Sequence, residues 1–217
     1  MPKPSNQFDF NSIVDVILTI DYTALSNFDY KKIVIEDLGT DVGGMLPLTV
    51  ENSFPDAWYH FHNPIFQPPN VTNEFPEPYT LVFKITREMF PPNEEQHSLD
   101  TVSMLFSLTD LVIRLWIKIK YTSDKGQVVE LTRQTGADGY LSFESDFNRK
   151  SPFGTWEIGI DRDRAPESLW AKNDDGSPRT EQITDPNQSR HLLDTEKIKD
   201  LILSLSYSAT LEWPPES

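Results

Sequence analysis

The segment IVDVILTIDYTA at residues 13–24 returns as IKDLILSLSYSA at residues 198–209, a constant shift of 185 positions. Both copies read apolar-x-Asp-apolar-apolar-Leu-hydroxyl-apolar-x-Tyr-hydroxyl-Ala. Alternation of this kind is the signature of a strand with one buried face. Two such strands at opposite ends of one chain constrain the fold to a β-sandwich in which first and last segments hold related places. Only about twelve residues repeat, so the pattern reads as paired strands of one domain rather than two domains. Within it, Asp15 and Asp200 stand at the strand entrances, where a carboxylate accepts a backbone N–H from the preceding turn. Tyr22 and Tyr207 stand at the exits as half-buried rings.

Further strands are predicted at 31–36, 57–62, 79–86, 127–132, 139–145, 154–160 and 200–209. The stretch 100–121 is the most apolar. Its second half places Leu111, Ile113, Leu115, Ile117 and Ile119 on one face, with Arg114, Trp116, Lys118 and Lys120 on the other. A helix is the alternative for 103–110 alone. GTDVGGMLP, from 39 to 47, reads as a turn-rich loop. Residues 63–78 hold five prolines and exclude a regular element. No β-α alternation is present. The expected fold is therefore all-β: an antiparallel sandwich, jelly-roll-like, with long proline-rich loops. One domain spans 1–217, with a lead-in at 1–7, a long polar loop at 161–192 and a tail at 211–217. A loop of that length inside a compact domain is either functional or mobile.

Bulk chemistry narrows the function. There is no cysteine, which excludes disulfides, thiol catalysis and zinc–thiolate sites. Net charge is −15. That disfavours nucleic acid and anionic membranes as partners, and it suits either simple solubility or an acidic face meeting a basic partner. No stretch has the roughly 20 apolar residues a membrane-spanning helix needs. The opening MPKPSNQFDFN lacks the zones of a signal peptide. If the protein leaves the cell, it is expected to do so as part of a larger extracellular complex or by another route.

Catalytic and metal motifs are weak. His60 and His62 share a strand face, about 7 Å apart, but the other histidines, His97 and His191, lie in polar loops. Asn173–Ser177 has the oxygens of a calcium loop without its register, so it reads as a turn. No phosphate loop, catalytic triad order or nucleophile elbow occurs. The expectation is a non-enzyme without cofactor or metal. Candidate binding residues are the aromatics and histidines Trp58, Tyr59, His60, Phe61, His62 and Trp170. Such residues serve protein interfaces and also stack sugars, so a lectin-like sandwich is the alternative reading.

Five segments carry a family resemblance: FDFNSIVDVILTIDYTA (8–24), FPDAWYHFHNP (54–64), FKITREMFPP (83–92), FGTWEIGI (153–160) and LLDTEKIKDLILSLSYSA (192–209). In this order they resemble the C-terminal domain of the A component of insecticidal toxin complexes (Tc toxins). The resemblance implies a jelly-roll-like module that docks the B component, hence a protein partner belonging to a toxin or injection assembly. A homo-oligomer and a glycan are the further partner classes.

Overall fold

The computed structural model describes residues 29–30, 33–34, 39–64, 77–109, 113–182 and 189–211, with 181–182 and 189–190 by backbone only. The chain divides into two compact units, 1–39 and 40–217. The predicted strand at 13–22, with Asp15 and Tyr22, lies outside the described residues. Of the predicted strand 31–36, the described residues 33 and 34 are helical.

The second unit is an all-β sandwich. Its strands are β1 (Asp41–Thr49), β2 (Thr80–Ile85), β3 (Glu94–Leu108), β4 (Trp116–Ser123), β5 (Val128–Gln134), β6 (Tyr140–Phe143), β7 (Gly154–Ile160), β8 (Thr180–Gln182), β9 (Ser189–His191) and β10 (Ile198–Leu211). Two four-stranded sheets have the orders β1-β10-β3-β6 and β2-β7-β4-β5, and β8-β9 forms a separate hairpin. Every pairing is antiparallel. β4 pairs with β5, β3 with β6, β2 with β7 and β1 with β10. These are nested pairs, as in one long hairpin rolled up, and that is the jelly-roll topology.

The core follows from alternation. Leu201, Leu203 and Leu205 of β10 and Val102, Met104 and Phe106 of β3 point inward against Ile117, Ile119 and Tyr121 of β4 and Trp156 and Ile158 of β7. Aromatic rings fill the centre: Tyr121 lies 4.4 Å from Trp156, and Phe147 stacks on the same indole at 5.2 Å. Such pairs add to simple area burial. The Tyr121 hydroxyl donates to the carbonyls of Ser151 and Phe153, and burial raises its pKa.

Two expectations are corrected, and one alternative falls. The 39–47 loop is mostly strand: β1 begins at Asp41. Gly44 signals close approach rather than a turn, because the Tyr207 ring fills the space beside it. The 57–62 strand is a helix. Two short helices follow β1, α1 (Val50–Ser53) and α2 (Pro55–His62). Proline at the first helical position and Asp56 in the first turn both favour a helix start, and they outweigh the period-two pattern of the aromatics. Within the 103–110 segment, where a helix was the alternative, residues 103–108 belong to β3, which starts well upstream at Glu94.

The 161–192 stretch has structure of its own. Single turns of 3-10 helix at Arg162–Arg164 and Glu167–Leu169 precede the β8-β9 hairpin. Asn173–Ser177 is a turn closed by Gly176 N–H donating to Asn173 and Ser177 N–H donating to the Asp175 carboxylate. Cations fasten this excursion to the sandwich. The Arg162 guanidinium lies 5.3 Å over Tyr79 and donates to the His191 carbonyl, while Arg164 lies 4.7 Å over Trp116. Buried Asp161 meets Lys118 at 3.4 Å and Arg164 at 3.6 Å.

Candidate interaction face

The residues expected to bind do not form one site. On α2, Trp58, Phe61 and His62 fall at i, i+3 and i+4 and face inward together. Trp58 packs 5.7 Å from Phe61 and 4.5 Å from His62, and Phe61 is buried in the core. Both ring nitrogens of His62 face carbonyl oxygens, those of Trp58 and Ile198. Tyr59 and His60 lie on the exposed side. His60 and His62 thus point to different sides of a helix instead of sharing a strand face, which removes the paired-imidazole geometry. Trp170 stacks on His191 with centroids 3.7 Å apart and 17° between planes. Among the described residues no group of three His, Cys, Asp or Glu side chains could hold a metal ion, and no helix is long and apolar enough to cross a membrane.

Asp200 and Tyr207 serve β10. The Asp200 carboxylate accepts the backbone N–H of Glu51 in α1 and that of Leu201, so it caps the neighbouring helix as well as its own strand entrance. Tyr207 is buried, donates its hydroxyl to Glu94 at 2.9 Å, and has its pKa pushed up to about 12 by burial and by that hydrogen bond. Beside it, buried His97 meets the same carboxylate at 3.3 Å, without hydrogen-bond alignment. Rings of Phe90, Phe153 and Tyr207 surround the imidazole, and burial lowers its pKa.

The two sheets present opposite kinds of surface to solvent. The β2-β7-β4-β5 sheet shows Lys84, Lys118, Lys120, Glu130 and Glu157 outward. Its outer face holds an open groove of about 470 Å³, floored by Gly159 and lined by paired charges, with Lys120 and Glu157 2.8 Å apart. This is an ordinary solvated face.

The outer face of β1-β10-β3-β6 carries no charge across three successive rows. Register places Thr49, Ile202, Leu105 and Tyr140 in the first row, Pro47, Ser204, Ser103 and Ser142 in the second, and Met45, Ser206 and Thr101 in the third. Met45 is 68% exposed, Tyr140 45% and Leu105 36%. Tyr140 is held across the face by donating its hydroxyl to Ser103 at 3.1 Å. Acidic groups stand at the ends: Asp200 beyond the first row, Asp41 and Asp100 beyond the third, the latter accepting from Ser208 at 2.7 Å.

Among the described residues no strand pairs with the other edge of β1, and that edge resists strand addition. Leu211 N–H donates to the Thr40 carbonyl, so the even residues of β1 bond to β10 and the odd ones face outward. Pro47 is among the odd residues and presents no N–H to an incoming strand.

Sequence reasoning missed this surface. Its trace was there in the serines at 204, 206 and 208, which occupy the outward positions of a strand where charge is the norm. No protein family, curated protein or solved structure matches the chain.

Proposed function

We propose that this chain is a non-catalytic protein-interaction module that docks a larger protein through the outer face of the β1-β10-β3-β6 sheet. The observation that carries this reading is the absence of charge from three adjoining rows of an exposed sheet, in a chain of which 24% is charged. Neutral interface centres bearing an aromatic anchor and ringed by charge are typical of docking surfaces; here Tyr140 is the anchor and the terminal acids are the ring. The resemblance of residues 8–24, 54–64, 83–92, 153–160 and 192–209 to the A-component domain of toxin complexes favours a B-type component as partner. The module would then serve as an adaptor or attachment part of a secreted toxin or injection assembly.

The test is a binding titration of the purified chain against a B-type component, with Leu105→Lys and Ser204→Lys as face variants. Binding that both variants weaken at least tenfold supports the reading. Binding that neither changes rejects this face, and no binding by the unmodified chain rejects the toxin-assembly partner.

A further inference from the structure

We infer that two copies of this chain also meet through the same neutral face, in a weak two-fold dimer. The inference rests on reading that face as a docking surface and names one occupant for it.

Charge argues for this face over any other. Each copy carries −15, so contact elsewhere either brings carboxylates together or desolvates ion pairs such as Lys120–Glu157, whereas contact across the neutral rows desolvates no ion. Hydroxyl chemistry adds self-complementarity. A serine hydroxyl both donates and accepts, so a row of them satisfies its own copy, as a two-fold contact requires. The register then supplies a fit. Ile202 stands directly across from Leu105, and Ser204 from Ser103. A two-fold axis along the strands lays β10 of one copy over β3 of the next. Apolar row then meets apolar row, and hydroxyl row meets hydroxyl row.

Size and rim fix the strength and its salt dependence. Four strands about 4.8 Å apart and three rows about 6.8 Å apart give a flat patch of roughly 400 Å². That is well below the ~800 Å² per partner of a stable complex, so the dimer forms only at high concentration. The same axis brings Asp200 of one copy toward Asp200 of the other. Salt screens that repulsion, so the dimer tightens as ionic strength rises. A docking partner with a basic rim would respond in the opposite direction.

Analytical ultracentrifugation of the full chain from about 10 µM to about 1 mM, at about 50 and about 500 mM NaCl, tests this. The expected result is a dimer whose population grows with concentration and is several-fold tighter at the higher salt. Leu105→Lys should weaken it by about tenfold or more, while Thr132→Lys on the opposite sheet leaves it unchanged, with circular dichroism showing both variants folded. A monomer at every concentration overturns the dimer, as does a dimer that loosens with salt or that Thr132→Lys breaks and Leu105→Lys spares. None of these results touches docking to a different protein, which the titration above decides on its own.

Discussion

The ring of Tyr207 on β10 occupies the space a side chain would need on Gly44 of β1: a Cβ there would stand 2.4 Å from the ring's Cζ and Oη. The tyrosine hydroxyl continues to Glu94 at the start of β3. One side chain therefore links three strands, and the glycine is what lets it lie inward.

Gly44→Ala should destabilise the fold by about 1–3 kcal/mol, the usual cost of overpacking. Urea unfolding measures it. A Gly44→Ala/Tyr207→Leu double variant should lose less than the sum of its parts, since the smaller side chain removes the collision. Strict additivity would show that the two residues do not share the space described.

The helical reading of 55–62 separates two adjacent aromatics. Phe61→Ala should cost about 3–5 kcal/mol as a core truncation. Tyr59→Ala, 63% exposed, should stay within about 0.5 kcal/mol. A strand with both rings on one face would make the two costs similar.

Acid should weaken the fold through His97. Burial holds its folded pKa below the ordinary value of 6.5, so the unfolded chain takes up the proton first. Stability is intact above that value and declines as pH falls below it toward the folded pKa. Comparing the unfolding midpoint of the parent chain with that of His97→Gln across this range isolates the term. The parent should lose stability faster, and equal slopes would remove His97 from the account.

Base acts through Tyr207 in the opposite sense. Its pKa is raised from 10.0 to about 12. The folded state keeps the phenol neutral after the unfolded state has ionised, and stability is lost between those two values. Ultraviolet titration of tyrosinate should show late-titrating phenols, of which Tyr207→Phe removes one while that of buried Tyr121 remains.

Arg162→Ala should release the 161–193 excursion without unfolding the sandwich. The change removes the guanidinium from Tyr79 and from the His191 carbonyl, about 1–3 kcal/mol of local stability. Hydrogen exchange should accelerate at the Ala171, Arg179 and Leu192 amides, which bond only within the excursion. Amides of β4 and β7 should be unaffected, and uniform acceleration would contradict this.

Strands β2, β4, β5, β7 and β10 were legible because each buries alternate residues, and burial is written one residue at a time. β1 was not, because Gly44 owes its place to a ring on another strand 163 residues away. The first half of β3, EEQHSLD, was hidden by its charges: Glu94 and His97 are turned toward Tyr207 and make sense only with it. The aromatic run at 57–62 misled because its period-two pattern also fits a helix that turns Trp58, Phe61 and His62 inward while exposing Tyr59 and His60. The candidate face was the least legible part. Each of its rows draws single residues from neighbouring strands, and only the register assembles Ser204, Ser103 and Ser142 into one surface.

The nested pairing puts β10 between β1 and β3 although it is the last of the sandwich strands to be made. During translation β1 must therefore wait without its partner strand, and β3 with only its β6 edge paired, until residues 198–211 clear the ribosome. The second sheet, complete once β7 has emerged, is free to assemble earlier. A nascent chain stalled before residue 198 should accordingly be the form that chaperones hold.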